Sequence, residues 1–293
     1  MNPYESFISA NGIRLHVRDW GGPAGARLSM VLLHGLASNA RIWDLVAPLL
    51  ARDFHVIAID QRGHGASDKP DDGYDYATVT RDLAEVIAAL HLELPLLVGH
   101  SWGASVALQY AAFAPDTLAG AALVDGGTAE FIEVMSRDEM FERLAPPRLA
   151  GTPRAEFVAA LRDRWLREFW SPAVEEAVMA SFTIDATDRI APHLSFDNHL
   201  KIVAAMWEHR PSLLFPRVTC PLLIVPAAQH IITDEAATWM AFKRASVARA
   251  VAMAPRARVV WANDSHHDVP LHHPHFLATV LSDFAHEIAP LRH

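Results

Sequence analysis

Along the first 125 residues, short runs that are apolar at nearly every position alternate with longer stretches where apolar residues recur every three or four positions. Met30–Leu33, His55–Ile59, Leu96–Val98 and Ala121–Val124 are runs of the first kind, and Leu222–Val225 and Val259–Trp261 resume the pattern near the end. Strands apolar on both faces belong in a parallel sheet covered on both sides. Ahead of them, Phe7–Ser9 and Ile13–Arg18 flank Asn11-Gly12, a strong hairpin turn. Thr78–Leu90 places Val79, Leu83, Val86, Ile87 and Leu90 on a 3.6-residue period, and Ala104–Phe113 and Glu235–Met253 behave similarly. The alternation predicts an α/β fold, a mostly parallel central sheet with helices on both faces. It stops between Thr128 and Pro216, where Pro146, Pro147, Pro153, Pro172, Pro192 and Pro211 punctuate the chain at points that suit helix starts. This stretch is expected to hold several short amphipathic helices and no strands. It would form a helical cap, 128–216, inserted in a core made of 1–127 and 217–293.

Composition narrows the function. The chain has 293 residues, 51% of them hydrophobic, enough for a large buried core. Its 25 Lys and Arg stand against 34 Asp and Glu, a net charge of −9 that argues against a nucleic-acid partner. The single cysteine, Cys220, excludes an intrachain disulfide. It opens an apolar run with no activating group beside it, so it reads as a buried structural thiol. The start, MNPYESFISANGIRLHV, lacks a basic region followed by an apolar run, so no secretory signal is expected. No uncharged apolar stretch approaches the ~18 residues of a membrane span. The expectation is a cytoplasmic protein without a membrane partner; the sequence sets no oligomeric state.

The chemistry-bearing signal is Gly99-His100-Ser101-Trp102-Gly103, which lies between the strand Leu96–Val98 and a helix. A G-x-S-x-G run in that context lifts a serine hydroxyl clear of the sheet on a sharp turn. Side chains at the glycines would collide with the neighbouring strand and helix. The helix start behind it favours developing negative charge. Upstream, Met30–Leu33 ends in His34-Gly35-Leu36. In this architecture the loop after that strand and the residue after the nucleophile each supply an oxyanion-hole amide, which nominates the backbone N–H groups of Leu36 and Trp102.

With these segments in view, the chain resembles an α/β-hydrolase-fold serine hydrolase with a helical cap. The resemblance runs through HGLASNARIW (34–43), IDQRGHGASDKP (59–70), LLVGHSWGASVAL (96–108) and SHHDVPLHHP (265–274). It implies that Arg62–Ser67 is a structural loop, with no chemistry assigned to His64 or Asp68. It implies a catalytic histidine after the last strand, where His266 aligns; His267 takes that place if the alignment slips by one. The five histidines of this region, His266, His267, His272, His273 and His275, show no zinc-binding spacing. No metal and no cofactor are expected.

The resemblance also implies a carboxylate in the loop after Leu222–Val225. That loop reads Ala227-Ala228-Gln229-His230, with no carboxylate. Asp234 and Glu235 come next and look like the first turn of a helix, where Thr233 or Asp234 would cap. In some relatives the acid follows the preceding strand, and here Ala121–Val124 ends in Asp125-Gly126-Gly127. Asp125 would stand at the carboxyl end of a central strand, where open α/β sheets place their sites. Asp125 is therefore the favoured acid and Asp234 the alternative.

A serine in place of a carboxylate nucleophile argues against haloalkane dehalogenase or epoxide hydrolase chemistry. The expectation is a serine esterase or lactonase acting on small apolar molecules through an acyl-enzyme. Hydrolysis of a carbon–carbon bond by the same triad is an alternative, and so is a non-catalytic ligand-binding role suggested by the vacant loop. Trp165, Phe169, Trp170, Phe182 and Trp207 are cap aromatics that either line the site or pack the cap on the core. The ring of Trp102 is a further candidate for the pocket wall.

Overall fold

The computed structural model describes residues 2–229 and 233–289, the side chain of Trp165 apart. His230, met in the vacant loop, and the ring of Trp165 therefore lie outside the described residues. Strands β1 (Tyr4–Ala10) and β2 (Ile13–Gly21) form an antiparallel hairpin. Its turn residues Asn11 and Gly12 sit at φ of 49° and 80°, as a tight two-residue turn demands. The strands β3 (Ser29–Leu33), β4 (His55–Ile59), β5 (Leu96–His100), β6 (Gly120–Val124), β7 (Leu222–Val225) and β8 (Ala257–Val259) complete one sheet. Its order is β1-β2-β4-β3-β5-β6-β7-β8, and β4 and every strand after it in that order run parallel. The chain moves outward from β3 to β4, then returns to place β5 on the other side of β3. That reversal opens a crevice at the carboxyl ends of β3 and β5, the place where such sheets bind ligands.

Alternation along the strands feeds two cores. Val31, Leu33, Leu97, Leu123 and Ile224 face one side. There they meet Val79, Leu83 and Val86 of α1 (Tyr76–Ala89), Val106 and Leu108 of α2 (Trp102–Phe113), and Val247 and Ala250 of α3 (Asp234–Met253). Met30, Leu32, Val98, Val124 and Val225 face the other side and meet Leu277, Leu281 and Phe284 of α4 (Pro274–Ile288). Cys220 is buried, and burial pushes its thiol up to about 11, so it stays protonated and inert. Among the described residues no helix is long and apolar enough to cross a membrane.

Two expectations need correction. The last strand of the sheet is Ala257–Val259, not Val259–Trp261. Its chain leaves the sheet at Val260 and makes a second, two-residue parallel pairing, Ala262–Asn263 against Ala227–Ala228. The stretch 128–216 contributes no strand to the main sheet, but it is not free of strands. Thr152–Pro153, Phe182–Ile184 and Arg189–Pro192 form a small antiparallel sheet of their own. These strands are two to four residues long, too short to print a period on the sequence. Their hairpin is closed by Asp185, whose carboxylate accepts the Thr187 N–H at 2.8 Å.

Candidate active site

Ser101 lies where β5 turns into α2, with φ 56° and ψ −119°, a region that L-residues rarely adopt. Its N–H donates to the Val124 carbonyl at 2.9 Å, which ties the turn to β6. A Cβ on Gly99 would lie 2.1 Å from the Gly103 oxygen, so the strand can leave into the helix only with glycine there. The residue pattern and the strained serine thus have one cause, a strand-to-helix turn with no spare volume.

The imidazole that reaches Ser101 belongs to His267. Its Nε2 is 2.9 Å from Ser101 Oγ and its Nδ1 is 2.7 Å from Asp125 Oδ2. A carboxylate only accepts, so Nδ1 carries the proton and Nε2 offers its lone pair to the serine hydroxyl. His266, the favoured residue, turns the other way and places Nε2 2.8 Å from Glu168 Oε2. Consecutive side chains on an extended loop point to opposite sides, so a one-residue slip exchanges the two rings. The His267 side chain is half exposed, and the partial desolvation it suffers disfavours its charge. The bond and charge of Asp125, aided by Asp268, outweigh that and raise its affinity for a proton above the ordinary histidine value. Its carbonyl is held by His100, whose Nε2–H donates to it at 2.9 Å. Burial brings the His100 ring down to about 4, so it stays neutral in that bond.

Asp125 stands at the end of β6 with φ 41° and only 3% of its side chain exposed. Besides His267, it accepts the Ala227 N–H at 2.8 Å and the Lys243 ammonium at 2.7 Å, both on Oδ1. Burial alone would raise its pKa. The bond to His267 and the charges of His267 and Lys243 overcome that and hold the carboxyl well below the usual carboxylate range. Asp234 is exposed in the first turn of α3, behind the Thr233 cap whose hydroxyl accepts the Ala236 N–H at 3.1 Å. It is not part of this cluster.

The loop after β3 passes directly over the serine; a Cβ on Gly35 would sit 2.9 Å from Ser101 Cβ. Among the described residues, the amides of Leu36 and Trp102 donate to no protein acceptor, so both donors are uncommitted. The next amide, Ala37, donates to His64 Nε2 at 3.2 Å, and the His34 ring accepts the Gln61 N–H at 3.0 Å. The Arg62–Ser67 loop therefore braces the loop after β3 through these bonds. The Trp102 ring does not line the pocket: it is 1% exposed and stacks on His64, with centroids 5.5 Å apart.

A cavity of about 260 Å3 opens beside Ser101 and His267, walled by Phe131, Met206, Trp239 and Phe242. Of the expected cap aromatics, none whose ring is described is on this wall. Phe169 and Trp170 pack on the core, and Trp207 donates its Nε1–H to the Met135 carbonyl at 3.2 Å. Phe182 lines another cavity, of about 410 Å3, together with Ala37, His64 and Phe196. Trp239 and Phe242, three residues apart on α3, were given no role by the sequence. Lys243 and His100 gave no sequence signal at all. Glu168, His266 and His272 bring a carboxylate oxygen and two ring nitrogens within 4.8 Å of one another, a set that suits a metal by ligand type. However, His272 Nδ1 accepts the His266 backbone N–H at 3.2 Å, so that lone pair is committed.

Known proteins share this architecture. A family model described as "Alpha/beta hydrolase family" matches residues 30–280. Over 138 residues the chain is 36% identical to 2-(acetamidomethylene)succinate hydrolase of Mesorhizobium japonicum, a match covering 47% of each protein. Over 101 residues it is 41% identical to a soluble epoxide hydrolase of Corynebacterium sp., covering 34% of each. The matched segments thus span less than half the length of these curated relatives. A crystal structure of E-2-(acetamidomethylene)succinate hydrolase superposes with a TM-score of 0.80 at 24% identity, over 97% of this chain and 99% of that one. That likeness speaks for the fold.

Proposed function

The chain belongs to the alpha/beta hydrolase family, and from that premise we propose that it is a serine hydrolase cleaving small apolar carboxylic esters or lactones through an acyl-enzyme. The observation that carries this reading is the unbroken line from Asp125 through His267 to Ser101, with contacts of 2.7 and 2.9 Å. His267 takes the hydroxyl proton as Ser101 Oγ attacks the carbonyl carbon. The oxyanion is received by the amides of Leu36 and Trp102, and His267 returns the proton to the leaving alkoxide. Water, deprotonated by the same ring, then releases the acid, while Asp125 stays ionised and holds the imidazolium. One oxyanion donor is worth roughly 10²–10³ in rate.

The serine favours an acyl-enzyme over the carboxylate ester of epoxide hydrolysis. The apolar cavity of about 260 Å3 lies just under the ~300–1,000 Å3 of ordinary ligand pockets, which favours short acyl groups. Phe131 and Met206 reach it from the stretch 128–216, which in this reading acts as a cap over the core 1–127 and 217–293. The vacant Ala227–Ala228 loop, which suggested a non-catalytic role, loses that force once Asp125 stands in the acid's place. The test is turnover of p-nitrophenyl acetate through octanoate and of simple lactones by wild type and Ser101→Ala. Turnover of short chains that Ser101→Ala abolishes is expected; no turnover of any ester or lactone would overturn the assignment.

A further inference from the structure

Lys243 is a largely covered cation that the hydrolytic steps do not use. Its side chain is 13% exposed, and its ammonium donates to Asp125 Oδ1 at 2.7 Å and to the Ala227 carbonyl at 3.0 Å. Ala227 gives Asp125 its N–H and gives Lys243 its carbonyl, so one residue closes a ring through carboxylate and ammonium. The loop that carries no acid of its own thus supplies the backbone frame for an acid arriving from the neighbouring strand.

We propose that Lys243 is a positioning residue of the triad: it fixes which Asp125 oxygen faces His267 and offsets the carboxylate's charge. The inference rests on the reading of Ser101, His267 and Asp125 as the catalytic set. Asp125 needs such an anchor. It sits on a left-handed backbone at a strand end, and without a second donor pair its carboxylate could rotate away from the ring. A buried ammonium is costly unless it is paired and hydrogen-bonded, and Asp125 with Ala227 provides both. Among the described residues, Asp125, Asp268, His100 and Lys243 face or adjoin His267. Asp125 and Asp268 favour its charged form, neutral His100 adds no charge near neutrality, and Lys243 opposes the charged form.

The test compares wild type with Lys243→Met, Lys243→Gln and Lys243→Arg. Met removes bond and charge, Gln keeps a donor without the charge, and Arg keeps the charge. Two readouts are needed: the acid limb of kcat/KM against pH, and the His267 titration followed directly by NMR of labelled histidine. In Met and Gln the His267 midpoint is expected to rise by roughly 0.5–1 pH unit. In Met alone kcat should fall on the order of tenfold as the carboxylate loosens. Arg should stay within a few tenths of a pH unit of wild type. A purely structural lysine would lower Tm and leave the midpoint where it was. An unchanged His267 midpoint in Gln overturns the proposal even if Met fails to fold. If wild type hydrolyses no ester or lactone, the assigned reaction fails, while the NMR titration still decides the role of Lys243.

Discussion

Replacing Asp125 by Asn removes one charge and no volume, and the surrounding donors dictate how the amide must sit. Lys243 and the Ala227 N–H both donate to Oδ1, so the amide oxygen must take that place. The amide NH2 then takes the place of Oδ2, 2.7 Å from His267 Nδ1, and presents a proton where the ring also carries one. The ring escapes the clash only by moving its proton to Nε2, the nitrogen 2.9 Å from Ser101 Oγ. In that tautomer it cannot accept the serine proton. Enforcing the wrong tautomer in a Ser-His-Asp site costs on the order of 10⁴ in kcat, equivalent to about 5.5 kcal/mol of transition-state stabilisation. The fold should survive at a cost of about 1–3 kcal/mol, since each neighbour keeps a partner but the ammonium loses its counter-charge. The assay is kcat for p-nitrophenyl butyrate at pH 8, with a thermal melt alongside. A folded Asp125→Asn within tenfold of wild type, or an Asp234→Asn that loses as much, would show that Asp125 does not set the tautomer.

Three other outcomes rest on the same geometry. His267→Ala should lose on the order of 10⁴ or more in kcat, while His266→Ala, which loses its contacts to Glu168, Phe169 and His272 but none to Ser101, should stay within about threefold; kinetics of the two variants in parallel check this. His267 must be neutral to act, and its proton affinity is raised, so kcat/KM should climb with pH through a midpoint above 6.5; a midpoint near 5 would contradict the contact with Asp125. Stability should fall in acid. His64 and His209 are brought by burial to about 3 and His100 to about 4, so below pH 6.5 the unfolded chain takes up protons that the folded chain refuses. The loss is on the order of 1–2 kcal/mol per histidine at pH 5, and a Tm unchanged between pH 7.5 and 5 would count against neutral burial of these rings.

The sheet was legible because its strands are buried on both faces, and runs such as Met30–Leu33 and Leu222–Val225 have no other explanation. Ser101 was legible because its turn demands glycines that few other structures demand. Asp125 was legible because the loop after Leu222–Val225 holds no acid and the neighbouring strand ends in one. The ring that reaches Ser101 is one residue beyond the favoured His266, because which of His266 and His267 faces the serine depends on which side of an irregular loop each ring takes. The second pairing at Ala262–Asn263, just upstream, leaves no hydrophobic period, and Asp264 turns the chain at φ 53° after it. Lys243 was invisible because a lysine on an amphipathic helix normally faces water; here it reaches Asp125 and Ala227, just past the ends of β6 and β7. The pocket wall was sought in the cap, whose aromatics mostly pack downward, while half of it comes from Trp239 and Phe242 of the core helix.

The hydrolytic reading stands or falls on Ser101 being an activated nucleophile driven by His267. Labelling with a fluorophosphonate decides this, read by intact mass and peptide mapping in wild type, Ser101→Ala, His267→Ala and His266→Ala. One adduct on the Ser101 peptide is expected in wild type and in His266→Ala, none in Ser101→Ala, and labelling slowed at least about a hundredfold in His267→Ala. An unlabelled wild type, or a His267→Ala protein that labels as fast as wild type, would contradict the assignment.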